Sequence, residues 1–225
     1  MQVNRTEHKY ILTIAEACMI QKRLQYVMPI DQHCINGKGY EIRSLYFDTI
    51  KNRSCYEKLD GDRIHEKIRL RIYGNDDSVI KLESKWKDGM SQVKKTMFIT
   101  KSLAKQLCQG KYDGLKDFDH PYAFYFYQRL SQGMVPKVII QYQRLSYCLQ
   151  TNNTRITFDS NICATESNLD IFCQTLQTRP VLAQSHLIME VKFNGFLLNY
   201  IKRELRGVQK LSTSYSKYTS GRMFY

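Results

Sequence analysis

The sequence lacks the features that mark disulfide frameworks, zinc sites and membrane spans. Its seven cysteines are odd in number and contain no CxxC pair, so neither zinc binding nor a disulfide framework is indicated. No apolar run approaches the roughly 20 residues that a membrane-spanning helix needs. The polar segment 1–10 does not have the form of a signal peptide. Reduced thiols in a cytoplasmic protein are therefore expected.

Other common signatures of function are also missing. No GxxxxGK[ST] loop occurs, so the chain is not expected to hold phosphates as P-loop enzymes do. The five histidines are scattered without ligand spacing, which favours surface or packing roles over metal binding. The 225 residues contain no repeat of solenoid length, no low-complexity tract and no flexible linker. A single domain over residues 1–225 is the simplest prediction.

Positive charge is what the chain has in excess. Lys and Arg outnumber Asp and Glu by 34 to 21, which gives a formal net charge of +13. Such an excess implies an anionic partner, whether nucleic acid, membrane headgroups or phosphate compounds. A solvated basic surface would produce the same charge count, so the net charge alone leaves both interpretations open.

The basic residues alternate with apolar ones in strand-like segments. Lys67, Arg69 and Arg71 are interleaved with aliphatic residues, and successive side chains of a strand point to opposite faces. Each such strand would therefore have one aliphatic face and one charged face. In the segment 93–96 the pattern alone does not decide whether Lys94 or Lys95 lies on the charged face. Other charged positions with this spacing are Glu7, Lys9, Lys81, Glu83, Lys85, Arg144, Arg155, Glu190 and Lys192.

The predicted elements are mainly consecutive strands, which is typical of an antiparallel sheet in an α+β protein. Thr13 and Glu16 form a predicted capping box at the start of a helix that runs to about Met28. The other predicted helices cover 101–110, 121–132, 169–178 and 196–208. The predicted strands cover 7–12, 40–48, 63–73, 79–87, 92–99, 138–150, 154–159 and 187–193.

The function of the charged faces depends on whether the sheet is open or closed. In an open sheet that face would simply be solvated. In a closed barrel of about eight strands it would line an interior just wide enough for side chains or one slim ligand. Close-packed Lys and Arg would repel one another there unless anions lay between them, and a linear chain of phosphates fits that shape. The few carboxylates on the same face suggest a divalent metal.

These residues lie in an ordered set of motifs that resembles the VTC-type polyphosphate polymerase domains, a branch of the CYTH or triphosphate tunnel metalloenzyme superfamily. Each motif is weak by itself, but the set spans almost the whole chain in the family's order. The motifs are RTEHKY at 5–10, RSLYFDT at 43–49, KIRLRIYG at 67–74, LESK at 82–85, YQRLSY at 142–147, RITFD at 155–159, MEVKF at 189–193 and SKY at 216–218.

The resemblance implies a fold, an activity and a cofactor. The implied fold is an α+β domain with an antiparallel β-barrel of about eight strands, which forms a tunnel and has helices packed on the outside. The implied activity is that of a polyphosphate polymerase, which moves the terminal phosphoryl group of ATP onto a polyphosphate chain with Mn²⁺ or Mg²⁺. The partners would be ATP and inorganic polyphosphate, with no nucleic acid expected.

Carried over position by position, the resemblance also implies the site residues. The implied catalytic phosphate ligands are Arg69, Arg71, Lys85, Arg144 and Arg155. Further implied phosphate ligands are Lys9, Lys67, Lys94, Lys95, Lys192 and Lys217. Glu190 is the implied metal ligand, with Glu7 and Glu83 as metal or lysine-orienting candidates. Many members have a Lys-x-Arg-like pair where this chain reads VKKT at 93–96, which leaves Lys94 and Lys95 open. Without the motif, Glu190 would be interpreted as an ion-pair partner of Lys192.

Two other functions remain open from the sequence. A triphosphate or tripolyphosphate hydrolase of the same fold would use a similar charged tunnel and metal, but it would have to activate water. A non-catalytic polyphosphate-binding module would need only the cations. A nucleic-acid module is less well supported, because the basic residues alternate along strands instead of clustering with aromatic residues on an outer face.

Overall fold

The structure is a computed structural model that describes residues 5–34, 37–74, 76–89, 91–206 and 212–223. Its strands are β1 (Arg5–Thr13), β2 (Tyr40–Thr49), β3 (Ile64–Tyr73), β4 (Asp76–Asp88), β5 (Ser91–Phe98), β6 (Met134–Leu149), β7 (Thr154–Thr165), β8 (Arg179–Pro180) and β9 (His186–Asn194). Its α-helices are α1 (Ile14–Leu24), α2 (Arg53–Leu59), α3 (Lys101–Cys108), α4 (Ala123–Ser131), α5 (Asn199–Glu204) and α6 (Lys217–Met223).

The strands form one sheet in the order β1-β9-β7-β6-β2-β3-β4-β5, and the two-residue β8 pairs with β7. The ladders β1–β9, β9–β7, β2–β3, β3–β4 and β4–β5 are all antiparallel. The predicted fold class, α+β with an antiparallel sheet of about eight strands and helices, is therefore confirmed.

The chain is divided into two compact units, each made of three separate stretches. The first unit comprises Met1–Glu41, Tyr142–Ile162 and Leu182–Ser216. The second unit comprises Ile42–Gln141, Cys163–Val181 and Lys217–Tyr225. The prediction of a single domain over residues 1–225 stays a prediction.

The core of the first unit forms between α1 and the aliphatic faces of its strands. The predicted capping box is confirmed: the Thr13 hydroxyl accepts from the Glu16 N–H at 3.3 Å, and the Glu16 carboxylate accepts from the Thr13 N–H at 2.7 Å. These bonds satisfy N–H groups that a helix start leaves without partners. The buried face of α1 then packs against apolar strand residues, among them Ile156, Phe158, Met189 and Val191.

The core of the second unit forms in the same way around a different set of helices. Leu70 and Leu82 are fully buried in one cluster with Leu103 of α3 and Phe126 of α4. Because strand side chains alternate, the neighbours of Leu70 and Leu82 must point to the opposite face. The burial of the aliphatic residues therefore fixes the side on which the charged residues of β3 and β4 lie.

The predicted helix at 169–178 is wrong: that segment has no helix. The Asn168 side chain accepts from the Asp170 N–H at 2.9 Å, and the Asp170 side chain accepts from the Phe172 N–H at 3.0 Å. Such local bonds compete with the helical pattern, because they use backbone donors that a helix would need. The apolar spacing instead reflects Ile171, which is buried in the second unit's core.

Two short helices were not predicted, and the helices corresponding to α1, which ends at Leu24 instead of about Met28, and α5 were predicted too long. α2 begins after Asn52, whose side chain makes no capping bond, while the distant Asp48 carboxylate accepts from the N–H groups of Ser54 and Cys55 at 2.9 and 3.1 Å. α6 was also missed. α5 covers only Asn199–Glu204 of the predicted helix 196–208, whose last two positions, 207 and 208, lie outside the described residues. Positions 1–4 of the N-terminal segment lie outside them as well. None of the described helices has the length and apolar character needed to cross a membrane.

Candidate functional site

The charged face of the second unit carries a row of three lysines, one on each of β3, β4 and β5. Lys67 lies directly opposite Lys85, and Lys85 lies directly opposite Lys94. Like charges at directly opposed positions destabilise an antiparallel sheet. A phosphate bound beside these lysines would reduce that repulsion, so the lysine row is a candidate phosphate site.

The next row on this face pairs arginines with one buried carboxylate. Arg69 lies opposite Glu83 and donates from Nε to Glu83 Oε2 at 2.8 Å, and Arg71 Nη1 lies 3.8 Å from the same oxygen. Lys94 Nζ lies 2.5 Å from Glu83 Oε1. Burial acts to raise the pKa of Glu83, but Arg69 and Arg71 outweigh it and hold that pKa well below its ordinary range. Glu83 is therefore ionised, and one carboxylate serves three cations.

Side chains of β2 hold the two guanidinium groups in place. Arg69 Nη1 donates to the Tyr46 hydroxyl at 3.2 Å, and Arg71 Nε donates to Ser44 Oγ at 3.1 Å. Burial acts to raise the pKa of Tyr46, but the charges of Arg69 and Arg71 outweigh it and lower that pKa below its usual value. The arginines are thus oriented before any ligand arrives, which reduces the entropy lost on binding an anion.

Helix α6 places Lys217 near the same part of the second unit. The Tyr218 ring stacks on Tyr46 with centroids 5.0 Å apart, and the Tyr218 hydroxyl donates to Asp48. The charge of Lys217 is close enough to contribute to the lowered pKa of Tyr46. Lys67 Nζ lies 5.9 Å from the centroid of the Tyr218 ring. The SKY motif therefore includes one candidate ligand and the tyrosine that positions it.

The structure decides whether Lys94 or Lys95 lies on the charged face, which the sequence pattern left open. Lys94 is paired with Lys85, whereas Lys95 is paired with Ser84, and consecutive residues of a strand point to opposite faces. Lys95 Nζ lies over the ring of Tyr125, 3.3 Å from its centroid. Of the predicted phosphate ligands, Lys95 is thus the one that the structure does not bring to the charged face of its unit.

The charged face of the first unit contains a cluster of two lysines and two glutamates. Glu190 is opposite Lys9, and Glu7 is opposite Lys192. Lys192 Nζ lies 2.7 Å from Glu190 Oε2, while Lys9 Nζ lies 3.3 Å from Glu7 Oε1 and 3.8 Å from Glu190 Oε1. Burial lowers the pKa of Lys192 to about 8, despite the opposing effect of Glu190. The structure therefore contains the ion pair between Glu190 and Lys192 that the sequence predicts when the family motif is left aside.

Both predicted arginines of the first unit are held by acidic partners. Arg144 makes a bidentate pair with Asp159, at 2.7 Å for each of its two hydrogen bonds. Burial acts to lower the pKa of Arg144, but Asp159 outweighs it and holds that pKa well above its ordinary value. Arg155 donates to Asp31 Oδ2 at 2.8 Å. It also donates to Ser146 Oγ at 2.9 Å and to the Tyr40 hydroxyl at 3.0 Å.

The predicted metal ligands fall in different units, with Glu7 and Glu190 in the first and Glu83 in the second. No group of three or more His, Cys, Asp or Glu side chains suited to a metal was found among the described residues. Thr157 lies opposite Glu190, is 1% exposed, and its hydroxyl has no hydrogen-bond partner in the described part of the chain. Two carboxylates and an unpartnered hydroxyl are oxygen donors of the kind Mg²⁺ and Mn²⁺ bind, so the first-unit cluster fits such an ion.

Sequence reasoning missed several residues that support these side chains. Asp159 and Thr157 lie on the charged face of β7, and the period-two pattern places them there without showing their partners. Ser44 could be found by the same register argument. Nothing in the sequence pattern indicates Asp31 or Tyr40 as partners of Arg155. Asp31, for example, is 124 residues away from Arg155 in the sequence.

The solved structures to which this chain is similar differ strongly from it in sequence. The PH1819 protein from Pyrococcus horikoshii is 13% identical, with a TM-score of 0.49 and coverage of 96% of both chains. A candidate adenylate cyclase from Bacillus halodurans is 9% identical, with a TM-score of 0.47 and coverage of 90% of this chain and 87% of that one. A candidate adenylate cyclase from Vibrio parahaemolyticus is 10% identical, with a TM-score of 0.47 and coverage of 91% and 86%. These likenesses are too distant to indicate activity.

A family model identifies the family of this chain, although no curated protein does. No curated protein matches the chain at a significant level. The VTC domain, in contrast, matches residues 4–224 and so covers nearly the whole sequence. This match includes the strands that carry both charged faces and the C-terminal SKY motif. The chain therefore belongs to the VTC domain family.

Proposed function

We propose that this protein is a polyphosphate polymerase-like phosphotransferase, which moves the terminal phosphoryl group of ATP onto the end of a polyphosphate chain. One observation supports this most directly: the row of Lys67, Lys85 and Lys94 lies beside Arg69 and Arg71 on one face of the second unit. Three of these cations, Arg69, Arg71 and Lys94, share one buried carboxylate, Glu83, and phosphate oxygens are the acceptors that such a group of cations binds. Membership of the VTC domain family supports the same conclusion.

The proposed reaction needs charge neutralisation and positioning more than covalent help from the protein. The bond between the β- and γ-phosphates of ATP breaks, a bond forms from an oxygen of the polyphosphate end to the γ-phosphorus, and ADP leaves. Arg69 and Arg71 provide guanidinium donors whose orientation is fixed by Tyr46, Ser44 and Glu83. Fixed donors stabilise charge on the transferred oxygens without reorganising during the reaction. The attacking end is already anionic, so no strong general base is required.

The first unit has its own candidate phosphate ligands and candidate metal ligands. Arg144 and Arg155 are held by Asp159 and Asp31, and each guanidinium keeps part of its donor set for phosphate oxygens. Glu190, Glu7 and Thr157 would hold Mn²⁺ or Mg²⁺. A bound divalent ion would neutralise and polarise the phosphoryl oxygens. We propose Lys9, Lys85, Lys192 and Lys217 as further phosphate ligands. Glu83 is the weaker metal candidate, because it lies in the other unit among Arg69, Arg71 and Lys94, whereas Glu7 and Glu190 share Lys9 and Glu190 lies opposite Thr157.

To test this function, the purified protein is incubated with ATP and Mn²⁺ or Mg²⁺, and the amounts of polyphosphate and of free phosphate are measured over time. Chain growth is expected in the wild type and a large loss in Arg71→Ala and Glu190→Gln. Arg63→Ala is the matched control, because Arg63 is highly exposed and pairs with Asp88 at the end of β4. Near wild-type turnover in both site variants would remove the proposed assignment.

The same assay separates the two alternatives. Release of free phosphate without chain growth would identify a triphosphate or tripolyphosphate hydrolase. Retention of labelled polyphosphate without turnover of ATP would identify a non-catalytic polyphosphate-binding module. Competition by short polyphosphate but not by an oligonucleotide would further exclude nucleic acid as the natural ligand.

A further inference from the structure

A second group of polar residues lies on the side of the β3–β5 strands that faces away from the lysine row. It lines a cavity of about 320 Å³, a volume within the range of small-molecule sites. Ser84 illustrates its position, because this residue stands between Glu83 and Lys85 on β4 and so points to the other face. The residues of this outer cavity are Glu66, Ser84, Trp86, Val93, Lys95, Tyr125 and Arg129.

A buried carboxylate organises one wall of the outer cavity. Glu66 accepts from Ser84 Oγ and from the Tyr125 hydroxyl, both at 2.5 Å, and from Arg129 Nε at 2.7 Å. Both carboxylate oxygens are therefore satisfied by protein donors, and the charge of Glu66 is balanced by Arg129. The network attaches α4 to the sheet and fixes the Tyr125 and Arg129 side chains in place without any ligand.

Lys95 is not explained by this network. Its ammonium lies over the Tyr125 ring, 3.3 Å from the centroid, and 5.9 Å from the centroid of the Tyr122 ring. In the part of the chain that the structure describes, no carboxylate lies within ion-pair distance of Lys95. Since Glu66 is already neutralised by Arg129, Lys95 gives the outer cavity a surplus positive charge.

The remaining walls are suited to a planar ring. Trp86 is opposite both Glu66 on β3 and Val93 on β5, so its indole lies between them in the register. Val93 is 47% exposed, although it is aliphatic, and Trp86 is half-buried. An indole and an exposed aliphatic side chain beside a cation favour a ligand with an aromatic part and an anionic part.

We propose that the outer cavity binds a small organic anion in which a planar ring is joined to one phosphate or carboxylate. The anionic group would accept hydrogen bonds from Lys95 Nζ, and the ring would pack on Trp86. A nucleoside monophosphate and an aromatic carboxylate share this chemistry. The site lies on the opposite face from the proposed phosphate-transfer residues, so the inference goes beyond the proposed function and does not depend on it.

The structure offers a direct reporter, because Trp86 is the only tryptophan in the chain. Its fluorescence is recorded while the intact protein is titrated with adenosine monophosphate or with benzoate, in the presence of excess tripolyphosphate to occupy the charged faces. At least one of the two probes should quench or shift the emission in a saturable way, and the stronger one identifies the anionic group. Adenosine alone and inorganic phosphate alone should bind about tenfold more weakly or worse, since each lacks one half of the contacts.

Variants separate the outer cavity from the charged face. Lys95→Met should weaken binding about tenfold, because it removes the charge but keeps the side-chain length, whereas Lys95→Arg should retain most of the affinity. Lys94→Met is the matched control, since Lys94 is the next residue and points to the other face, and it should leave the titration unchanged. No saturable change with either probe, or equal affinity in wild type and Lys95→Met, would overturn the proposal. A failed polymerase assay would leave this titration unaffected.

Discussion

The guanidinium of Arg144 is bound by both oxygens of the Asp159 carboxylate, at 2.7 Å for each hydrogen bond. Asp159 is fully buried, and it lies 15 residues from Arg144 across the turn that joins β6 to β7. The pair gives Arg144 a fixed plane and leaves only part of its donor set for a ligand. A residue predicted to bind phosphate is thus first a partner of a protein carboxylate, which decides where its remaining donors point.

Asp159→Asn should therefore lower both stability and phosphate binding. Removing one partner of a buried pair leaves an uncompensated charge and costs about 3 kcal/mol in the free energy of unfolding. The measurement is denaturant unfolding together with titration of tripolyphosphate. Asp88→Asn is the control, because the Asp88 partner Arg63 is highly exposed and such pairs contribute less than about 1 kcal/mol. Equal effects of the two substitutions would contradict the assigned role of Asp159.

Glu83→Gln should reduce stability most strongly when no anion is present. The substitution removes the carboxylate that Arg69, Arg71 and Lys94 share, so these cations repel one another. The expected loss is about 3 kcal/mol, and added tripolyphosphate should restore more stability in the variant than in the wild type. Thermal unfolding with and without tripolyphosphate measures the difference. An equal shift in both proteins would show that the anion does not bind near Glu83.

Because its pKa is lowered, Lys192 should contribute to the free energy of unfolding in a way that depends on pH. Burial lowers its pKa from 10.5 to about 8 in the folded chain, so between these values the unfolded chain binds the proton more tightly. Stability contributed through Lys192 should therefore rise as the pH increases from about 8 towards 10.5. The unfolding free energy of wild type minus that of Lys192→Met, measured at pH 7.5, 9 and 10 (chosen to span this window), should increase along the series. A constant difference would show that the pKa of Lys192 is not lowered.

Tyr218→Phe tests whether α6 is fixed by its tyrosine. The substitution removes the hydrogen bond to Asp48 while the ring can still stack on Tyr46. Since Asp48 keeps the N–H donors of Ser54 and Cys55, the loss should be about 1–2 kcal/mol in the free energy of unfolding. Binding of tripolyphosphate should weaken as well, because Lys217 loses its support. Tyr26→Phe, at a residue 83% exposed, should change neither property.

Local and periodic features were those that sequence reasoning predicted well. The capping box of Thr13 and Glu16 involves residues three apart, and its bonds form as the motif requires. Eight strands of the sheet overlap the segments that the alternation of charged and aliphatic residues predicts, whereas the two-residue β8 was not predicted and β7 extends six residues beyond its predicted end. The helix predicted at 169–178 failed, because bonds from the Asn168 and Asp170 side chains replaced the helical pattern. Helix α2 was missed, since its backbone donors are satisfied by Asp48, outside the usual capping position.

Contacts between segments that are far apart in the sequence could not be predicted. Asp31 and Arg155 are separated by 124 positions, and Asp48 and Tyr218 by 170. No spacing rule joins such residues, because their proximity depends on how the whole chain folds. The charge pattern could name Glu83 and Arg69 as members of one face, but only the cross-strand register shows that they form a pair.

The order of residues along each strand determined which side chains share a face, because the backbone of a strand alternates them without help from the rest of the chain. That was sufficient to predict an antiparallel sheet with one cationic face and to relate its motifs to the VTC domain. The tertiary structure alone decided which charges meet. It placed Lys94 with the phosphate-binding candidates and Lys95 beside Tyr125, because burial of the opposed Leu82 and Met97 on one face of β4 and β5 fixes the register of the two strands.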